Sequence, residues 1–130
     1  MTDQHKPGPA LNAAVARAIG WHYREWKDKR GRECCAWEPT TGGTIAPGLW
    51  RPSTDIADAM RALSEMDGNG AGWFIERGDY YPDEPSEVSH GVAVSVKGRE
   101  AAELYNDHDG DRLAALCLAI CLAIVEAGKP

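Results

Sequence analysis

The side chains best suited to bind a metal are four cysteines, Cys34, Cys35, Cys117 and Cys121. Either His22 or His90 could complete a site with Cys117 and Cys121, because cysteine and histidine are the usual zinc ligands. However, Cys34 and Cys35 are adjacent, so on a strand they would point to opposite faces. The chain has no CxxC motif to supply a second ligand pair. We therefore expect reduced cysteines that serve as small packing residues, and we predict no metal and no cofactor.

An aspartate-rich segment, Asn106–Asp111, has the composition of a calcium-binding loop. An EF-hand loop needs glycine at position six and glutamate at position twelve. Counted from Asp107, these positions hold Arg112 and Leu118. The segment is better explained as carboxylates at the start of a helix. The chain also lacks a GxSxG motif, and Gly68–Gly72 lacks the spacing of a dinucleotide-binding loop. We predict no catalytic residues and a protein that is not an enzyme.

Large aromatic side chains are numerous, with five Trp and four Tyr against one Phe. Three of the tryptophans, Trp21, Trp37 and Trp73, alternate onto faces that we expect to be inside. Other aromatics fall at strand ends or in loops beside charges, and Trp, Tyr and Arg are enriched at binding hot spots. The predicted partner-binding residues are Trp26, Trp50, Arg51, Asp79, Tyr80 and Tyr81. The alternative is that these aromatics pack their own loops onto the domain.

Length and charge limit the classes of function. A chain of 130 residues is expected to form one domain; we assign residues 1–9 to a flexible tail and 10–130 to a single α/β/α sandwich. The net charge is −6 and the basic residues are scattered, so we expect no direct binding to duplex nucleic acid. We find no signal peptide and no membrane-spanning stretch, which predicts a location in the cytoplasm, without membrane association.

Periodicity predicts the element order α-β-β-α-β-β-α. The predicted helices are Leu11–Ile19, a helix opened by Ser53–Asp55, and Leu113–Val125. The predicted strands are Trp21–Lys27, Glu33–Glu38, Gly72–Arg77 and Val88–Lys97. Two loops rich in proline join them, Pro39–Pro52 and Gly78–Glu87. The polar segment 98–110 is expected to lead into the last helix.

The last helix, Leu113–Val125, contains no charged or amide side chain and is apolar on every side. It is too short for a bilayer, which needs about 20 apolar residues. We therefore expect it to be buried against a sheet and against either another helix or a second subunit. Because so much apolar surface is difficult to cover in one small domain, we predict a homo-oligomer formed through this helix.

These elements predict an α+β fold with a four-stranded, mainly antiparallel sheet between helical layers. In the fourth strand, Val92, Val94 and Val96 share one face, and Ala93 and Ser95 share the other. The small second face could lie in water or could allow a helix backbone to approach closely.

Several of these features resemble one family of small bacteriophage and prophage proteins, the phage ABA sandwich domain. The similar features are Gly20-Trp21, Ser53–Ala59, Trp73 in the third strand and Ala119–Ala123 in the last helix. The resemblance extends from about residue 11 to residue 127. It implies a sheet between helical layers, no catalytic residues or cofactor, and an accessory protein that acts in the bacterial host cytoplasm.

Two functions are consistent with these observations. The first is a non-enzymatic bacteriophage accessory protein that binds a host or phage protein; inhibition of a host defence system is one such role. The alternative is a protein that binds a small molecule or nucleotide in a pocket among Trp26, Trp50, Arg51 and His90.

Overall fold

The computed structural model describes residues 6–40, 42–68, 72–80 and 89–129. The described residues form three α-helices and five strands. The helices are α1 (Pro9–Ala18), α2 (Ile56–Gly68) and α3 (Arg112–Ala127). The strands are β1 (His22–Lys27), β2 (Glu33–Glu38), β3 (Trp73–Tyr80), β4 (Ser89–Val96) and β5 (Arg99–Leu104). Two short 3-10 helices, Pro47–Leu49 and Tyr105–His108, lie in the connections.

The α+β class is confirmed, but the prediction of a single four-stranded sheet is wrong. Strands β1 and β2 form a separate antiparallel hairpin, and β3, β4 and β5 form a second antiparallel sheet in that order. The additional strand, β5, was expected to be part of a polar connection. It forms because Lys97 and Gly98 make a two-residue turn in which both residues have positive φ, 54° and 77°. This is the backbone geometry that joins two strands in a tight hairpin.

The prediction that the sheet separates two helical layers is also wrong. One face of the three-stranded sheet carries Val92, Val94 and Val96, each at most 2% exposed, and these residues belong to the same core cluster as α3. The other side of α3 packs against α1 and α2. Helix α3 is therefore the middle layer, with the sheet on one side and two helices on the other.

The predicted burial of the last helix is confirmed. Seven of its residues are at most 1% exposed, and they cover about two-thirds of its circumference: Ala115, Cys117, Ala119, Ile120, Cys121, Ala123 and Ile124. The helix begins at Arg112, one residue before the predicted Leu113, and the Asp111 carboxylate caps it by accepting a hydrogen bond from the N–H of Ala114 at 3.0 Å. At its other end, a β-carbon added to Gly128 would lie 2.9 Å from the β-carbon of Ala18. Glycine at this position therefore allows the ends of α1 and α3 to approach closely.

Most of α3 is covered by its own chain, but Leu116, Leu122 and Val125 are only half-buried. One large side chain of α3 is mainly in solvent, that of Leu113 in the first turn, which is 59% exposed. A homo-oligomer stays a prediction. None of the helices in the described ranges has the length and apolar character needed to cross a membrane.

The long connection between β2 and α2 is held on α1 by hydrogen bonds. The indole N–H of Trp50 donates to the carbonyl oxygen of Asn12 at 3.0 Å, and the N–H of Ser53 donates to Asn12 Oδ1 at 2.9 Å. The Ser53 hydroxyl in turn accepts from the N–H of Gly8 at 3.0 Å. This loop therefore contributes to the core. Residues 8 and 9 of the predicted N-terminal tail are ordered at the start of α1, as its N-cap and its first residue.

Candidate interaction surface

The hairpin β1–β2 is the most exposed regular element among the described residues. All six residues of β1 are exposed, whereas Ala36 and Trp37 of β2 are buried. The register pairs Trp26 with Cys34 and Tyr23 with Trp37. The end near Ala36 and Trp37 is therefore covered by the rest of the chain, and the end near Trp26 projects with both faces open to solvent.

Trp37 attaches this hairpin to the domain. It is 3% exposed and belongs to the core cluster. Its backbone N–H and carbonyl both bond to the backbone of Ile45 at 2.9 Å, and the guanidinium of Arg17 lies 5.6 Å from its ring centre. An isolated two-stranded hairpin is only marginally stable in water. The contacts of Trp37 therefore fix the position of the whole hairpin, including its exposed end near Trp26.

Asp28 holds the turn of the hairpin. One carboxylate oxygen accepts from the N–H groups of Arg30 and Arg32 at 2.8 and 2.9 Å, and the other accepts from Arg32 Nε at 2.9 Å. The bond from the Arg32 N–H is the largest cause that lowers the Asp28 pKa. The carboxylate thus remains ionised at neutral pH and keeps the turn closed.

Two aromatic side chains stand on opposite faces of the hairpin. Tyr23 is 44% exposed and packs on Trp37 with ring centres 5.0 Å apart. Trp26 is 37% exposed, and the guanidinium of Arg24 lies 5.2 Å from its ring centre. Such a cation–π contact restricts the indole and leaves part of its surface available to a partner. The hairpin therefore presents large apolar surfaces that are already oriented.

A shallow groove of about 510 Å³ runs along this hairpin. Its lining residues are Tyr23, Glu25, Trp26, Lys27, Glu33, Cys34 and Cys35. A smaller groove of about 310 Å³ lies between the hairpin and α1, and Tyr23 also borders it. An interaction with the Cys35 thiol is the first cause that raises the pKa of Tyr23 above its ordinary value.

Two of the predicted contact residues, Trp26 and Trp50, do not share a surface. Trp26 is exposed on the hairpin, but Trp50 is 1% exposed and packs on Trp21 with ring centres 4.4 Å apart. The expectation that Trp50 is exposed is therefore wrong: its loop folds inward because the indole N–H finds a backbone acceptor on α1. Arg51 is exposed, and its backbone N–H donates to Asp58 Oδ2 at 2.9 Å.

The other predicted contacts lie in or beside β3. Asp79 and Tyr80 continue this strand and pair with His90 and Ser89, although they were expected in a turn. Their side chains are outside the described part of the structure, and Tyr81 is outside the described residues. A contact role for these three residues stays a prediction.

The pocket predicted for a small molecule is not present in the expected form. Trp26 lines the hairpin groove without Trp50 or Arg51, and Trp50 is a core residue. His90 lies in β4, but its side chain is outside the described part of the structure.

The four cysteines divide into an exposed and a buried pair. Cys35 is exposed and Cys34 is half-buried, whereas Cys117 and Cys121 are buried in α3. Burial is the main cause that raises the pKa of Cys117 to about 11, and it raises that of Cys121 further. Within the described ranges, no cluster of three or more His, Cys, Asp or Glu side chains could hold a metal ion.

We expect only two of the four free thiols to react quickly with a thiol reagent in the folded protein. The reactive species is the thiolate, which burial and a raised pKa suppress at Cys117 and Cys121. Ellman's reagent at about pH 8 should therefore titrate Cys34 and Cys35 in buffer and all four thiols in guanidinium chloride. A Cys34→Ser/Cys35→Ser variant is the control and should show no rapid reaction. More than two rapid thiols in the wild type would contradict the buried position of α3.

Sequence reasoning missed Tyr23 as a contact candidate. The available signal was the composition of β1, which places charged and aromatic residues on both faces and no aliphatic residue on either. A half-buried strand alternates apolar and polar residues, so the lack of alternation indicates exposure on both sides. Phe74 in β3 was also missed, and it is 52% exposed.

Comparison of the chain with protein-family models, curated proteins and solved structures gives no match.

Proposed function

We propose that this chain is a non-enzymatic protein-binding module whose contact surface is the exposed strand β1 of the β1–β2 hairpin. One observation supports this most directly: the hairpin exposes Tyr23 and Trp26 on opposite faces while Trp37 fixes its base in the core. Tyrosine and tryptophan provide much of the binding energy at protein interfaces, and a fixed hairpin loses little conformational freedom on binding.

The charged residues beside these aromatics support a polypeptide partner. Glu25, Lys27 and Glu33 line the same groove, so both signs of charge surround the apolar surface. A polar rim around an aromatic centre is the usual composition of a transient protein interface. The groove is also open along the hairpin, whereas small-molecule sites usually enclose most of their ligand.

The biological setting of this proposal rests on the sequence alone. The resemblance to small bacteriophage proteins suggests an accessory protein whose partner is a host or phage protein, and inhibition of a host defence system is one role that binding could serve. We propose the cytoplasm of a bacterial host as the place of action.

A pull-down with matched variants tests the hairpin. Tagged wild type and a Tyr23→Ala/Trp26→Ala variant are incubated with lysate of the bacterial host, and retained proteins are quantified by mass spectrometry. Loss of two hot-spot aromatics costs about 2 kcal/mol or more, so we expect a partner to be depleted at least about 30-fold with this variant.

The control variant is Leu49→Ala/Met60→Ala, which removes two exposed apolar side chains elsewhere, 68% and 37% exposed. It should retain the partner as the wild type does. Equal retention by the hairpin variant would place the contact surface elsewhere. Absence of any specific partner, together with a rise in melting temperature on addition of a metabolite mixture, would replace this proposal with small-molecule binding.

A further inference from the structure

Strand β1 has an open edge. It pairs with β2 on one side, and in the described part of the chain no strand pairs with its other side. We call that other side the free edge. In an antiparallel pair, the N–H and C=O groups of successive residues point alternately toward the partner strand and away from it. The residues whose groups point away therefore decide what the free edge can bind.

The backbone of Tyr23 points toward the free edge. Trp37 lies directly opposite Tyr23 in the register of the hairpin. Both the N–H and the C=O of Trp37 bond to Ile45 at 2.9 Å, on the side of β2 away from β1. The pair of Tyr23 and Trp37 is therefore one without mutual hydrogen bonds, so the backbone groups of Tyr23 also point away from β2.

The same alternation places the backbone groups of Glu25 and Lys27 at the free edge. The N–H of Asp28 donates to the carbonyl oxygen of Arg32 at 3.0 Å, which confirms that even-numbered residues of β1 face β2. None of the backbone hydrogen bonds among the described residues involves the edge groups of Tyr23, Glu25 or Lys27. Such a row of unpaired donors and acceptors is a template for another strand.

The side chains along the free edge are complementary to a second copy of themselves. Glu25 and Lys27 lie on one face of β1, and Trp26 lies between them on the other face. A two-fold axis through Trp26 places the Glu25 of each copy directly opposite the Lys27 of the other. The axis also brings the two Trp26 rings together. Opposite charges and aromatic pairs at directly opposed positions both stabilise an antiparallel pair.

Other two-fold axes are unfavourable. Because only alternate residues bond at the free edge, the axis must pass through a residue and not between two. An axis through a charged residue puts that residue directly opposite its own copy, which destabilises the pair; this applies to Arg24, Glu25 and Lys27. An axis through Tyr23 would bring the second copy against Trp21, which is 4% exposed because the chain there enters the core.

The rest of the domain leaves room for this pairing. The base of the hairpin, near Trp37, joins the core, and the end near Trp26 projects from it. In an antiparallel arrangement the two domains therefore lie at opposite ends of one continuous sheet in the order β2-β1-β1-β2. Such a sheet is more stable than an isolated hairpin. The overlap is short, so the interface is small and the dimer should be weak and concentration-dependent.

We propose that two copies of this chain pair through the free edges of their β1 strands, about a two-fold axis at Trp26, to form a symmetric dimer. Backbone groups of Glu25 and Lys27 bond across the axis, and their side chains form two ion pairs. This interface lies in β1 and not in the helix Leu113–Val125 that was predicted to mediate self-association. Because the dimer covers part of Trp26, a partner protein that contacts this ring would bind the monomer.

This proposal goes beyond the proposed function and can fail independently of it. Dimerisation is measured on the purified chain alone. The chain can therefore dimerise without retaining any protein from a lysate, and it can retain such a protein without dimerising.

Exchange of charges across the axis tests the dimer, with dissociation constants measured by sedimentation equilibrium. The single variants Glu25→Lys and Lys27→Glu each oppose like charges at two places in the dimer, so we expect dimerisation to weaken about tenfold or more. The double variant Glu25→Lys/Lys27→Glu restores opposite charges at both places and should dimerise within about threefold of wild type. An equimolar mixture of the two single variants should form a heterodimer, because each supplies the charge that the other needs.

The matched control is Glu76→Lys, which makes the same charge change at an exposed position of β3. It should leave the dissociation constant within about twofold of wild type. A wild type that stays monomeric up to about 1 mM would overturn the proposal. So would a dimer that neither single variant weakens, or one that Glu76→Lys weakens equally. Unchanged melting temperatures establish that each variant is folded.

A cysteine on the two-fold axis locates the interface directly. In an antiparallel pair without mutual hydrogen bonds, opposed Cα atoms are about 4.5 Å apart, which a disulfide can span. Trp26→Cys in a Cys34→Ser/Cys35→Ser chain should therefore form a covalent dimer with oxidised glutathione. Glu25→Cys in the same chain lies opposite position 27 of the second copy and should not link to itself. Equal crosslinking of the two variants would contradict the proposed axis.

Discussion

Replacing Trp50 with alanine is expected to lower the free energy of unfolding by about 4 kcal/mol, in the range found for buried Trp and Phe truncations. Trp50 is 1% exposed, contacts Trp21 at a ring-centre distance of 4.4 Å, and donates its indole N–H to Asn12. The substitution leaves a cavity, removes the aromatic pair and releases the loop from α1. Because domains of this size are stable by only about 5–15 kcal/mol, the loss is a large part of the total.

Urea unfolding followed by tryptophan fluorescence measures this change, with circular dichroism as a second probe. Trp26→Ala is the matched control, because it removes the same side chain from the exposed hairpin. It should cost about 1 kcal/mol or less. Similar losses from the two variants would contradict the assignment of Trp50 to the core and of Trp26 to the surface.

Replacing Ile120 with aspartate is expected to prevent folding. Ile120 is fully buried in α3, which the sheet contacts on one side and α1 and α2 contact on the other. A carboxylate placed there must either lose its hydration or be protonated, and either costs several kcal/mol beyond the lost apolar contacts; we expect a total of about 5 kcal/mol or more. The far-UV circular dichroism spectrum and proton NMR dispersion should both report an unfolded chain at 25 °C.

Leu113→Asp provides the control on the same helix. Leu113 is 59% exposed in the first turn of α3, where a negative charge interacts favourably with the helix dipole. This variant should fold with a melting temperature within a few degrees of wild type. If both aspartate variants folded, α3 could not be the buried middle layer.

The elements that could be predicted were those with strong local signals. The bounds of β2, Glu33–Glu38, were predicted as they are observed, because a polar turn precedes the strand and a proline follows it. Burial of the last helix followed from its all-round apolar surface. Asp111 was expected near its start, and it is the N-cap residue.

The errors in the predicted strands and sheets have one physical cause. Contacts between residues far apart in the sequence override the local preference of a segment for helix, strand or loop. The sequence of β5, Arg99–Leu104, contains Ala, Glu and Leu, which favour a helix or a polar connection more than a strand. Pairing with β4 across the Lys97–Gly98 turn overrides that preference. Likewise, no local pattern shows that β1 and β2 form a sheet of their own, or that all three helices lie on one side of the other sheet.

The candidate surfaces were predictable only in part. Trp26 was expected to be exposed, and the structure shows it exposed. Trp50 was also expected at the surface, but it is buried because its indole N–H bonds to the carbonyl oxygen of Asn12, 38 residues earlier in the sequence.

The middle position of α3 also affects the order in which this chain can fold during synthesis. Helices α1 and α2 and the valine face of β4 all pack on α3, and α3 follows all of them in the sequence. As the chain emerges from the ribosome, these apolar surfaces exist before the element that covers them. Long-range contacts of this kind slow folding, and exposed apolar surface promotes aggregation. Until α3 has been synthesised, the nascent chain therefore carries uncovered apolar surface on α1, α2 and β4.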